Sequence, residues 1–195
     1  MQRLLRMIAV ALIARLPALL MAQGARAEST LDRILREKKI RITAEITSPP
    51  FGILDKDGKP DGSEIATARQ LAKDLGVEVE FVQVTAPNRI PALLSGKADV
   101  AISSLSITLD RAKTVMFANP HGALSIVITA PADTAIKSAA DLKGKRVGLT
   151  RATLEEATVP KIAPEGTNIV YFDDIAATIQ ALLSGQVDAA GMSSK

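Results

Sequence analysis

The residues Ala92–Ala101 and Ala181–Ala190 are two versions of one segment. The first reads Ala-Leu-Leu-Ser-Gly-Lys-Ala-Asp-Val-Ala and the second Ala-Leu-Leu-Ser-Gly-Gln-Val-Asp-Ala-Ala. Each is an apolar helix end, a glycine that can take the left-handed conformation at the helix stop, and a strand opened by aspartate. A helix–strand unit used twice at this separation points to two lobes of similar build. The plainer alternative is an ordinary α/β chain in which two helices happen to end in Leu-Leu-Ser-Gly.

The rest of the pattern agrees with an α/β class. Ser29 or Thr30 caps a helix through Glu37, and a strand follows over Ile40–Ile46. Asp57-Gly58 is a hairpin turn and not a calcium loop, because the remaining ligand spacing is wrong. Ile65, Ala68, Leu71, Ala72 and Leu75 recur at helical spacing and stop at Gly76. Strands are expected over Val77–Val84, Asp99–Ser103, Arg146–Thr150 and Asn168–Phe172. Between them lie helices over Ile90–Ser95, Leu154–Ile162 and Ile175–Leu183, the last capped by Asp173 or Asp174. Strands alternating with helices give a largely parallel sheet covered on both faces. The apolar, β-branched run Ala123–Ala130 is expected to carry the chain from one lobe to the other. The resulting division is a leader over 1–27, lobe 1 over 28–122, a hinge crossing over 123–131 and lobe 2 over 132–195.

Residues 1–27 have the layout of a cleaved secretory signal. Arg3 and Arg6 are followed by an apolar stretch from Met7 to Met21 and by Ala25-Arg26-Ala27. Arg15 and Pro17 interrupt the stretch; the alternative is an uncleaved membrane anchor, for which the run is short of the about 20 apolar residues a span needs. The leader holds four of the 24 basic residues and no acid, so the rest has 20 basic against 21 acidic residues. Its formal charge is therefore −1, and no nucleic-acid footprint is expected.

Catalytic signals are sparse. The chain has no cysteine, which excludes disulfides, thiolate metal sites and lipid-modified cysteines. His121 is the only histidine and is expected at a surface or structural position. There is no phosphate loop, serine elbow or metal-ligand cluster, so neither a cofactor nor a metal is expected. Binding chemistry is concentrated in Ser103-Ser104-Leu105-Ser106-Ile107-Thr108-Leu109-Asp110-Arg111. This stretch leaves the carboxyl end of a strand, where open α/β sheets bind ligands. Arg111 can grip a carboxylate with two parallel hydrogen bonds, each worth about 1.5–3 kcal/mol when charge-assisted. Equally open on these residues is a solvated strand-to-helix turn capped by Thr108.

From about Ser29 to Met192 the chain resembles family 3 solute-binding proteins, the polar amino-acid periplasmic binding proteins. The matching features run collinearly: Leu31-Asp32-Arg33-Ile34, Ser48-Pro49-Pro50-Phe51, Asn88-Arg89-Ile90-Pro91-Ala92-Leu93-Leu94-Ser95-Gly96-Lys97, Ser103–Arg111, Asp141-Leu142-Lys143-Gly144-Lys145 and Val187-Asp188-Ala189. The resemblance implies a two-lobed, periplasmic-binding-protein-like (type II) fold that closes on one amino acid and delivers it to the membrane permease of an ABC importer. It places the carboxylate-binding arginine on Arg111, ligand-contacting hydroxyls on Ser104 and Ser106, and an acidic residue for the ligand amine on Glu45. Arg89 corresponds to an arginine that contacts ligand in acidic amino-acid binders, with Asn88 and Ser103 beside these positions. The second-lobe turn that offers backbone N–H groups to the carboxylate falls on Arg151-Ala152-Thr153, with Thr153 in the ligand set.

Departures from the family pattern sharpen the expectation. Ser48 and Ala86 stand where aromatics commonly sandwich the ligand, and Ser193 stands where an aspartate commonly anchors the amine. Loss of both aromatics favours a small or polar ligand side chain, and Arg89 leans toward an acidic one. Family members also continue beyond the equivalent of Lys195, so the second lobe and the return to the first are expected to be incomplete. The alternatives are a cyclohexadienyl dehydratase-like enzyme, with Glu155 as the carboxyl acid in the cleft, and a sensory module of a larger receptor. The resemblance, the leader and the lack of cysteine together imply a free, monomeric periplasmic receptor that is not an enzyme.

Overall fold

The computed structural model describes residues 28–194, so the expected leader lies outside the described residues. The first lobe opens with α1 (Thr30–Glu37), and the Ser29 hydroxyl accepts the Asp32 N–H as its cap. Strand β1 (Lys39–Ala44) follows, then a small antiparallel hairpin of β2 (Ile53–Leu54) and β3 (Pro60–Asp61). The hairpin turn is held by the Asp55 carboxylate, which accepts the N–H groups of Asp57 and Lys59. Helix α2 (Ser63–Leu75) leads to β4 (Glu78–Gln83), a 3₁₀ turn over Ala86–Asn88, α3 (Arg89–Leu94), β5 (Val100–Ala101) and the short α4 (Leu109–Ala112). Gly62 is required at the start of α2: its φ is +117°, and a Cβ there would lie 2.4 Å from the Phe51 carbonyl oxygen.

The first sheet is parallel, in the order β4-β1-β5. Its core is aliphatic, as the low aromatic content requires, and gathers Ile34, Ile40, Ile42, Ala68, Ala72 and Ile102. Burying such side chains contributes about 25 cal/mol per Å² of apolar surface, which here fixes α1 and α2 against β1.

The second lobe contains β6 (Ser125–Thr129), a 3₁₀ turn over Ala139–Leu142, β7 (Arg146–Thr150), α5 (Leu154–Ile162), β8 (Asn168–Phe172), α6 (Ile175–Leu183) and β9 (Ala189–Ser194). Its sheet runs β6-β9-β7-β8, with β6 antiparallel to β9 and the other pairs parallel. A separate core of Leu142, Val147, Leu149, Val159 and Ala189 lies beneath it. The run expected to carry the chain between lobes therefore contains a paired strand of the second sheet. The irregular segment 113–124 precedes that strand. A β-branched run has the same pattern whether it links two lobes or joins a ladder, and the partner that decides between them is about 60 residues further on.

The duplicated segment is repeated in three dimensions. In the first lobe Asp99 accepts the backbone N–H and the guanidinium of Arg41 at the start of β1. In the second, Asp188 accepts the backbone N–H and the guanidinium of Arg146 at the start of β7. The backbone returns the bond in both, Asp99 N–H to Arg41 O and Asp188 N–H to Arg146 O, each at 2.8 Å. One carboxylate thus staples two parallel strands in each lobe.

Candidate functional site

A cleft lies between the two lobes and encloses about 70 Å³. Ser48, Phe51, Arg89, Ser104, Ser106 and Arg111 form its first-lobe wall. Across from them stand Thr150, Thr153, Glu155, Ile179, Met192 and Ser193. Of the residues expected from sequence, Arg89, Ser104, Ser106, Arg111 and Thr153 are brought together here, whereas Glu45, Asn88 and Ser103 are not in its lining.

Glu45 lies just behind the wall. It is 1% exposed, follows β1, and its carboxylate sits 3.1 Å from an Nη of Arg89, itself 2% exposed. Burial pushes the Glu45 carboxyl up, and the Arg89 charge pulls it back. Burial lowers the Arg89 pKa, and Glu45 opposes that shift. The pair is close enough for ionic attraction, yet both Glu45 carboxylate oxygens and Arg89 Nε lack a hydrogen-bond partner of good geometry. The other Arg89 Nη donates to the Ser104 carbonyl at 2.9 Å. Arg89 is therefore a strut carrying its charge into the wall with a neutralising carboxylate behind it.

The serine row divides by direction. Ser103 turns inward, where its hydroxyl shares a 2.9 Å bond with the Thr43 hydroxyl. Ser104 has a φ of +50° and faces the cleft, and its N–H and hydroxyl both donate to the Glu64 carboxylate. Glu64, in the first turn of α2, is a site-supporting residue that the sequence pattern missed. It reads as an ordinary acid at a helix start, and its partner is 40 residues away. Ser106 offers its carbonyl to Arg111 at 2.8 Å. The Asn88 amide donates to the Thr85 hydroxyl at 3.0 Å.

Thr108 caps α4, accepting the Arg111 N–H, and this fixes the arginine at the cleft edge. A second Arg111 Nη reaches across the cleft and donates to the Ala152 carbonyl at 2.7 Å. Ala152 has a φ of +56°, which turns that carbonyl toward the first lobe. Half-burial and the neighbouring Arg89 charge lower the Arg111 pKa, and guanidinium still stays protonated at every ordinary pH. A guanidinium has five N–H donors, so two bonds to backbone carbonyls leave capacity for a carboxylate.

On the second lobe, Thr153 caps α5: its hydroxyl donates to Thr150 O at 2.7 Å and accepts the Glu156 N–H. The N–H groups of Arg151 and Ala152 are already engaged, by Phe172 O and by the Glu156 carboxylate respectively. Glu155, in the first turn of α5, is 6% exposed, lines the cleft and accepts a short hydrogen bond from the Ser193 hydroxyl of β9. His121 is exposed and outside the lining. Among the described residues no cluster of acidic or histidine side chains could hold a metal ion, and no helix is long and apolar enough to cross a membrane.

The comparisons with known proteins match this architecture. Residues 40–170 match the model of bacterial extracellular solute-binding proteins, family 3. The chain is 31% identical over 190 residues to the L-cystine-binding protein of Escherichia coli K12, an alignment covering 96% of this chain and 70% of that protein. It is 33% identical over 155 residues to the histidine-binding periplasmic protein of Salmonella typhimurium, covering 78% of this chain and 60% of that one. It spans 61% of the length of an arginine-binding protein of E. coli K12, at 32% identity over 77% of this chain. Among solved structures, an ancestral amino acid-binding protein described as a precursor of cyclohexadienyl dehydratase superposes with a TM-score of 0.81 at 36% identity, covering 85% of this chain and 74% of that one. The cysteine-binding protein of Campylobacter jejuni superposes with a TM-score of 0.78 at 32% identity, covering 84% and 67%. With a two-lobed α/β fold, a cleft between the lobes and these relatives, the chain belongs to family 3 of the bacterial extracellular solute-binding proteins.

Proposed function

We propose that this chain is the amino-acid-capturing receptor of an ABC importer, acting in the periplasm as a monomer and handing its ligand to a membrane permease. The observation that carries the reading is Arg111, which stands in the cleft with one hydrogen bond to each lobe. A ligand carboxylate placed on that guanidinium engages a side chain hydrogen-bonded to both lobes, so binding reinforces lobe closure. Relatives named for cystine, arginine, glutamine and histidine binding support an amino acid as the ligand.

The test is calorimetric titration of the unaltered protein and of Arg111→Ala with the twenty common amino acids. The receptor reading expects at least one to bind, and its affinity to fall by about 10- to 100-fold or more in the variant, as loss of charge-assisted bonds requires. Full affinity in Arg111→Ala contradicts it.

A dehydratase on the same scaffold is the second reading, favoured by one observation, the buried Glu155 in the cleft. Incubation with prephenate separates the two: the receptor reading expects no turnover.

A further inference from the structure

Charge in the cleft wall is unevenly satisfied. Arg89 is neutralised from behind by Glu45 and fixed on Ser104. Arg111 spends its hydrogen bonds on two neutral carbonyls, and among the described residues no carboxylate lies within ion-pair distance of it. Glu155 takes a neutral hydroxyl from Ser193, and among the described residues no cation lies within ion-pair distance of it. The Arg111 guanidinium on the first lobe therefore faces the buried Glu155 carboxylate on the second, each within reach of the other's field but with no ion pair between them. Leaving a buried charge unpaired is costly, and a ligand bearing one charge of each sign removes both costs at once.

The remaining wall mixes the apolar side chains of Phe51, Leu124, Leu154, Ile175, Ile179 and Met192 with the uncharged hydroxyls of Ser48, Thr150 and Thr153. It offers no further unpaired charge to a ligand side chain. The small cleft volume of about 70 Å³ favours a compact ligand over one with a long side chain.

On the receptor reading above, we propose that Glu155, braced by Ser193, is the ammonium-binding carboxylate of the cleft, opposite Arg111, and that the ligand is an amino acid with a short, uncharged, apolar side chain. Glu45, expected from sequence for the amine, is engaged behind the wall with Arg89. Arg89, expected to favour an acidic side chain, brings no net charge to it. The serine at 193 supplies an O–H that holds Glu155 in place where family members more often carry the acid themselves.

The experiment is a titration of the full chain and of Glu155→Gln with L-valine, L-glutamate, L-arginine and 3-methylbutanoate, the last being valine without its amine. The unaltered protein is expected to bind L-valine at least about tenfold more tightly than L-glutamate or L-arginine. In Glu155→Gln the affinity for L-valine is expected to fall by about 10- to 100-fold while that for 3-methylbutanoate stays within about threefold. Retained 3-methylbutanoate binding also shows that the variant is folded. Equal loss of both ligands, undiminished L-valine binding in the variant, or preference for L-glutamate or L-arginine overturns the proposal alone. Failure of the unaltered protein to bind any amino acid overturns the receptor reading and this proposal with it.

Discussion

Glu45 and Arg89 are 1% and 2% exposed and meet at 3.1 Å, so each is the other's counter-charge in the wall. Removing one partner of such a pair leaves a buried charge, at a cost of about 3–5 kcal/mol. Arg89→Met should lose that much stability in denaturant melts, whereas Arg89→Met combined with Glu45→Leu should lose less than either single change. A double variant as unstable as the two losses added would show that the residues do not act as a pair. The single variant should also weaken ligand binding, because Arg89 supports the Ser104 carbonyl beneath the cleft.

Two elements of the fold allow sharper tests. Asp188 staples β7 to the start of β9, and hydrogen bonds from Arg146 lower its carboxyl to about 2. Its pKa is depressed in the folded state, so its stabilisation is fully present above the ordinary value of 3.8 and is lost as pH falls toward 2. Melting temperatures of the unaltered protein and Asp188→Asn should therefore differ at pH 6 and converge as the pH drops through that window. A constant difference would remove the staple. Gly191, in β9, passes so close to β7 and α5 that a Cβ would lie 2.5 Å from Leu149 Cδ2 and 3.3 Å from Glu155 Cβ. Gly191→Val should cost about 1–3 kcal/mol by overpacking and displace Glu155 from the cleft. An unchanged melt in that variant would contradict the packing.

At the scale of the whole molecule, the sequence carried the two-lobe plan and much of the first-lobe wall. Helix caps, glycine stops and the duplicated Leu-Leu-Ser-Gly segment are local signals, and they place α1, α2, β7 and α6 to within a residue or two. Other features depend on contacts between distant residues, which no local pattern encodes. Ser104 meets Glu64 across 40 positions, Ser193 meets Glu155 across 38, and β6 finds its partner only in β9. For the same reason Glu45 and Ser103 have the residue types of ligand contacts but are turned into the first lobe by their partners. The bond from Arg111 to Ala152 ties the lobes together, so Arg111→Ala should open the cleft. X-ray scattering should then give a larger radius of gyration for the variant than for the unaltered protein, both without ligand, and equal radii would deny the arginine that role. The most direct measurement is a crystal structure of the full chain grown with the tightest-binding amino acid. The ligand carboxylate is expected on the Arg111 guanidinium, at about 2.7–2.9 Å. A ligand elsewhere, or a carboxylate in the cleft that leaves Arg111 untouched, would contradict it.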